Sequence, residues 1–97
     1  MDLMRNAASA RVEAMAKVKV YTTPYCPFCD GAKAHLQRRN IPFEEIDVSN
    51  DADKQALKQR TGWRTVPQIF IDEEMIGGYQ ELMALDASGE LSKKISA

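Results

Sequence analysis

Tyr25-Cys26-Pro27-Phe28-Cys29 holds both cysteines of the chain, with two residues between them. A pair at that spacing can close a small disulfide or hold half of a metal site. The flanking residues show where the pair sits. Lys17-Val18-Lys19-Val20-Tyr21-Thr22 alternates charged and apolar residues as a short strand does. Residues 30–39 read as helix, with no internal proline and no late glycine. Cys26 therefore falls where a strand ends and a helix begins. The first turn of a helix carries unpaired N–H groups and the positive end of the macrodipole. Both favour a thiolate over a thiol, and the thiolate is the nucleophilic form. Pro27 suits the first helical position, where its missing N–H is no loss. On this reading Cys26 is the exposed, activated sulfur and Cys29 lies one turn in, behind it.

Composition bounds what such a pair can serve. At 97 residues the chain is one domain, near the lower end of what builds its own core. Hydrophobic residues at 44% and charged residues at 28% give a soluble globular mix. A net charge of -1 implies no broad basic surface for nucleic acid. No apolar run approaches the ~18 residues of a membrane span. Two cysteines are too few for a disulfide framework and suggest redox work in a reducing compartment, which places the chain in the cytoplasm. A structural zinc needs about four ligands, and His35 is the one histidine. His35 reads as a solvated or partly packed helix residue, well over a turn from Cys29.

Residues 1–14 are alanine-rich, lack a strong apolar face and lack the apolar region of a secretory signal. Arg5, Ser9 and Arg11 faintly suggest a transit segment, against which Asp2 and Glu13 argue. The expectation is an extension at 1–14 outside the fold, followed by a domain at 15–97.

Within that domain the first helix carries Cys29, Ala32 and Leu36 at helical spacing and stops before Asn40-Ile41-Pro42. A second strand follows at about 43–48. The strand, helix and strand make one βαβ unit with a right-handed crossover. Asn50 is an N-cap candidate for a second helix, with Asp51 and Asp53 in its first turn and Gly62 closing it. Thr65-Val66-Pro67-Gln68-Ile69-Phe70-Ile71 is a β-rich run entered through a proline. Asp72-Glu73 turns it into an edge strand at 74–76, an antiparallel hairpin. Gly77-Gly78 breaks that strand. A third helix begins near Tyr79 with Leu82, Met83 and Leu85. A last one, near 88–95, seats Leu91 and Ile95. The order β-α-β-α-β-β-α gives an α/β fold with one small mixed sheet flanked by helices.

Three separated signals coincide: Cys26-Pro27-Phe28-Cys29 at a strand-to-helix turn, Thr65-Val66-Pro67 opening a strand, and Gly77-Gly78 opening a helix. Together they resemble a dithiol (class I) glutaredoxin of bacterial type. The resemblance runs from about Lys17 to the C-terminus. It implies the thioredoxin-like fold, with a four-stranded mixed sheet, and glutathione-dependent thiol–disulfide exchange. It implies that Cys26 is the nucleophile and Cys29 the resolving thiol. It also implies a cis bond before Pro67, with the N–H and C=O of Val66 facing the cysteinyl backbone of glutathione. Gly78 and the N–H groups at Tyr79, Gln80 and Glu81 would hold the γ-glutamyl carboxylate, and Thr65 and Phe28 would complete the contacts. Glutathione is then a co-substrate, with no metal and no organic cofactor. The implied partners are glutathione and glutathionylated or disulfide-containing proteins such as ribonucleotide reductase. Nucleic acid and membrane are not among them, and the chain is expected to be a monomer.

The chain departs from the family pattern in several places. Phe28 replaces the usual tyrosine. Thr23 stands where the family carries a lysine that pairs with a glutathione carboxylate; Lys54 or Arg64 are candidate replacements. Trp63 stands where many relatives carry a basic residue, and it reads equally as packed surface, partner anchor or ligand rim. Phe28 could instead cover the core edge, and Gly77-Gly78 could be a turn alone. Two other functions compete. One is a thioredoxin-like electron donor reduced by a flavoprotein reductase, against which Thr65-Val66-Pro67 and the glycine pair argue. The other is a dimer binding a [2Fe–2S] cluster, against which Pro27 argues.

Overall fold

The computed structural model describes residues 16–63 and 65–96. The expected extension at 1–14 and Arg64 lie outside the described residues. Among these residues the order is β1 (Val18–Thr22), α1 (Pro27–Arg38), β2 (Glu44–Asp47), α2 (Asp51–Thr61), β3 (Gln68–Ile71), β4 (Glu74–Gly77), α3 (Tyr79–Ser88) and α4 (Glu90–Ser96). The four strands form one mixed sheet in the order β2-β1-β3-β4. β1 runs parallel to β2, with Val20 opposite Glu45, and antiparallel to β3, with Val20 opposite Ile69. β3 and β4 form the expected hairpin, turning through Asp72 and Glu73, both at positive φ.

The period of two along each central strand sorts its residues between two apolar layers. Val18 and Val20 on β1 and Ile69 and Ile71 on β3 face Ala32 and Leu36 of α1, Leu82 of α3 and Leu91 and Ile95 of α4. Tyr21 and Phe70 face the other way and form a second cluster with Val48 and Leu57. Their rings meet edge to face at 5.4 Å, and the Arg60 guanidinium lies over both. Covered on both faces, β3 carries three apolar residues in succession, Ile69-Phe70-Ile71, instead of an alternating pattern.

The local signals act as their chemistry requires. Asn50 caps α2, its Oδ1 accepting from the N–H of Ala52 at 2.7 Å. Gly62 ends that helix at φ 79. Gly89, at φ 84, ends α3 after Ser88, so the last helix begins at Glu90 and not near 88. The third strand also starts later than the sequence suggested, at Gln68. Thr65-Val66-Pro67 is a loop ahead of it, because proline has no N–H to give a ladder. β2 is shorter than expected and mostly exposed.

Candidate active site

Cys26 is the N-cap of α1, with extended backbone at φ -115 and ψ 103, and Pro27 is the first helical residue. Its Sγ accepts the N–H of Cys29 at 3.1 Å. In the thiol form it also donates toward the Val66 carbonyl, at 3.8 Å. Cys26 is half-buried and Cys29 buried, and neither is in a disulfide. Tyr25, just before it, stands wholly in solvent at φ 60.

Cys29 has a different environment. It is 1% exposed, on the inner face of α1. Burial pushes its thiol up to about 12, aided by the hydrogen bond and charge of Cys26. The Thr23 backbone and the Lys33 ammonium pull the other way without prevailing. One turn of helix thus separates a half-buried sulfur supplied with an N–H from a buried one held neutral. Behind Cys29, the Lys33 ammonium is anchored on Glu45 of β2 at 2.8 Å, and the same carboxylate accepts from the Thr22 hydroxyl.

Two loops close on this point. The Val66–Pro67 bond is cis, as the resemblance implied. Gly78 lies against it: a Cβ there would meet the Pro67 carbonyl at 3.2 Å and the Trp63 ring at 3.6 Å. Gly77 adopts φ +121, and a Cβ would sit 2.6 Å from Cγ of Glu81. Both glycines are thus demanded by close approach. Glu81 reaches back so that its Oε1 accepts the Gly78 N–H at 2.9 Å. Gly78 is the N-cap of α3 and has no side chain to cap the first turn. The leading N–H groups of α3 therefore face the loop with no intrahelical acceptor.

The residues expected to contact glutathione gather in one place. Phe28, Thr65, Val66, Pro67, Gly78, Tyr79, Gln80 and Glu81 line a cleft of 380 Å³, and Trp63 lines it with them. Phe28 is largely exposed, and its ring leans on that of Tyr79 with centroids 5.7 Å apart. Gly31 makes room for this: a Cβ there would meet the Tyr79 ring at 3.0 Å. An adjoining cleft of 330 Å³ is lined by Thr23, Val48, Lys54, Leu57, Trp63, Thr65, Val66 and Gln68. Lys54 is therefore in the neighbouring cleft, across Trp63, Thr65 and Val66 from the glycine pair.

Sequence reasoning missed two features here. Glu81 as a cap had a signal, since Gly78 and Glu81 have the spacing of a capping box with glycine in place of serine or threonine. The contacts of His35 had none: its ring lies 2.5 Å from Asp86 of α3, with Arg39 donating to the same carboxylate at 2.8 Å. Trp63, left open among three readings, is a wall of both clefts. His35 is partly packed, as expected, and it ties the far end of α1 to α3.

Among the described residues no group of three or more His, Cys, Asp or Glu is placed to hold a metal. No helix among them is long and apolar enough to cross a membrane. The glutaredoxin family profile matches residues 18–76. The chain belongs to the glutaredoxin family. It is 46% identical over 78 residues to glutaredoxin 3 of Escherichia coli K12, covering 79% of this chain and 94% of that one. The solution structure of a Brucella melitensis glutaredoxin shares the fold with a TM-score of 0.77 at 39% identity, over 86% of this chain and 91% of that one. A buckwheat glutaredoxin–glutathione complex also gives 0.77, at 26% identity, over 98% of this chain and 89% of that one. The fold is the thioredoxin-like one of these glutaredoxins. The chain is a glutathione-dependent thiol–disulfide oxidoreductase, as glutaredoxins are.

Proposed function

We propose that Cys26 is the nucleophile, that Cys29 is the resolving thiol, and that the cleft along Val66 and Gly78 holds the glutathionyl group. The observation that carries this is the Cys26 sulfur itself. It takes the Cys29 N–H at a helix N-terminus and stands 3.8 Å from the carbonyl of Val66, a residue of the cleft wall. An N–H aimed at sulfur, together with the macrodipole, stabilises negative charge there.

The Cys26 thiolate attacks the glutathionyl sulfur of a mixed disulfide. A Cys26–glutathione S–S bond forms, the old S–S bond breaks, and the substrate thiolate leaves with its electron pair. A glutathione thiolate then attacks the glutathionyl sulfur on Cys26, giving glutathione disulfide and restoring the Cys26 thiolate. With a protein disulfide, Cys26 forms the mixed disulfide and Cys29 closes on it, its proton passing to solvent or to the leaving thiolate. Once Cys26 is in a disulfide, its charge and its hydrogen bond no longer hold Cys29 neutral. Two of the three causes that raise Cys29 then disappear. Direction follows the glutathione redox ratio, because exchange is reversible.

In the cleft, the N–H groups that open α3 suit the γ-glutamyl carboxylate, and the Glu81 carboxylate beside them suits its ammonium. Val66 offers its backbone to the cysteinyl residue, and Thr65, Pro67, Tyr79, Gln80 and Phe28 complete the walls. Lys54, with Arg64, remains the candidate cation for the glycine end. Supported by the pair of reactive thiols, this reading extends to a monomeric domain at 15–97, without resident cofactor, working in a reducing cytoplasm. Its substrates are glutathionylated proteins and protein disulfides, those of ribonucleotide reductase among them.

Turnover of a small glutathione mixed disulfide, with glutathione and glutathione reductase, tests the roles. Cys26→Ser abolishes it. Cys29→Ser retains it while losing most reduction of a protein disulfide. Equal loss of both reactions in Cys29→Ser would contradict the assignment, and turnover only with thioredoxin reductase as donor would replace it. Cluster absorbance in anaerobically purified protein would point instead to a [2Fe–2S] dimer.

A further inference from the structure

Pro24, Tyr25, Pro27 and Phe28 are all exposed around the half-buried Cys26. Phe28 leans on Tyr79 and belongs to the cleft that Gly78 lines. Tyr25 walls neither that cleft nor the one beside Lys54. It is 101% exposed, one residue from the reactive sulfur.

Its backbone is as unusual as its exposure. Tyr25 shares a turn with Pro24 and takes φ 60. Among the described residues, the other non-glycine positions in this left-handed region are Asn40 after α1 and Asp72 and Glu73 in the hairpin turn. Turn chemistry explains those. A ring-bearing residue is disfavoured there by its Cβ. Burial does not offset that cost, because the ring stands in water. A backbone outlier of this kind beside a nucleophile is grounds for a functional role.

The residue before the nucleophile must meet any polypeptide that bonds to it. Within a disulfide the two Cα atoms stand about 4.4–6.8 Å apart. The Cα of Tyr25 is about 3.8 Å from that of Cys26. A side chain next to a partner's cysteine therefore comes within reach of the Tyr25 ring. Tyrosine supplies contact area at small cost in conformational entropy, and Pro24 adds a neighbour with fixed φ. An apolar side chain that covers this ring takes apolar surface of both partners out of water.

We infer that Tyr25 is a specificity-determining residue for polypeptide substrates. It docks chains whose reactive cysteine is flanked by bulky apolar residues, outside the clefts assigned to the glutathionyl group. This rests on the assignment of Cys26 as the nucleophile.

The test uses Cys29→Ser protein, so that the reaction stops at the mixed disulfide. Its probes are two short peptides, each joined through one cysteine to thionitrobenzoate as a mixed disulfide. Leucines flank the cysteine in one and serines in the other. The Cys26 thiolate bonds to the peptide sulfur and the old S–S bond breaks. Thionitrobenzoate leaves with the electron pair and is read by its colour. Each rate constant is divided by that of free glutathione with the same peptide, which removes differences in intrinsic reactivity. The leucine peptide is expected to be favoured by about three-fold or more, short of what a methylene gives in a closed pocket. Tyr25→Phe keeps that preference, and Tyr25→Ala brings the two peptides level. Tyr25→Gly, which suits φ 60, also levels them, without lowering the midpoint of urea unfolding. The inference is overturned if the tyrosine protein shows no preference or if Tyr25→Ala keeps it. It is overturned equally if the Tyr25→Gly midpoint falls, since the ring would then be structural. No release from either peptide, while free glutathione releases the dye, would remove the nucleophile assignment and the inference with it.

Discussion

Cys26 and Cys29 share a short motif, yet one sulfur takes an N–H at the helix N-terminus and the other is buried on the helix's inner face. The buried thiol has a measurable consequence for stability. Its folded value of about 12 lies above the ordinary 9.0. The neutral form is therefore favoured by folding, and that contribution is fully present below about 9. It is lost as the pH rises toward 12, because the unfolded chain ionises first. Reduced protein should lose thermal stability across that alkaline window, and Cys29→Ser should flatten the slope; equal slopes would show that Cys29 is not held neutral. Gly77 offers a second test at this scale. Gly77→Ala forces a side chain onto φ +121 and into Glu81, displacing the cap on Gly78. A loss of about 1–3 kcal/mol is expected in urea unfolding, together with a raised KM for the glutathionyl substrate. The cysteine spacing and the glycine pair were legible in the sequence because each imposes a local geometry. Trp63 stayed open among three readings, because its place beside both clefts comes from two loops meeting, which no periodicity records.

At the scale of elements, the active-site helix is located by polar ties as well as by its apolar stripe. Cys29, Ala32 and Leu36 were readable as the inward face, and the structure buries all three. The partners of Lys33 were not readable, since its carboxylate lies on β2 and the contact depends on the crossover. Hydrogen bonds from Lys33 first, and then Thr22, hold the Glu45 carboxyl below its ordinary value of 4.5. A depressed carboxyl stabilises the fold above its unfolded value and ceases to do so as the pH falls through the folded one. Glu45→Gln should thus cost up to about 1 kcal/mol at neutral pH, as expected for a partly exposed pair. The cost should vanish in acid, below the folded value. Chemical unfolding of both proteins at neutral and acid pH checks the sign, and a cost that grew on acidification would contradict it. Helix and strand boundaries were the weaker part of the reading. Gln68 begins β3 because Pro67 cannot donate, and Glu90 begins α4 because Gly89 takes the left-handed turn. Both reasons were in the sequence, but several start points satisfied them.

Over the whole molecule, a four-stranded sheet carries three sequence-distant segments to one edge of the thiol. Cys26 follows β1, Val66 and Pro67 precede β3, and Gly78 opens α3. That convergence was readable because each segment had its own motif and the family resemblance placed them together. The second cleft was harder to read, because its walls come from α2, the loop after it and Val48 just past β2. The central claim is that Cys26 alone receives the glutathionyl group. Mass spectrometry of Cys26→Ser and Cys29→Ser proteins, each treated with glutathione disulfide, tests it most directly. A single glutathionyl adduct on Cys29→Ser protein, removed by added glutathione, and none on Cys26→Ser protein is the expected result. An adduct on Cys26→Ser protein, or none on Cys29→Ser protein, would contradict it.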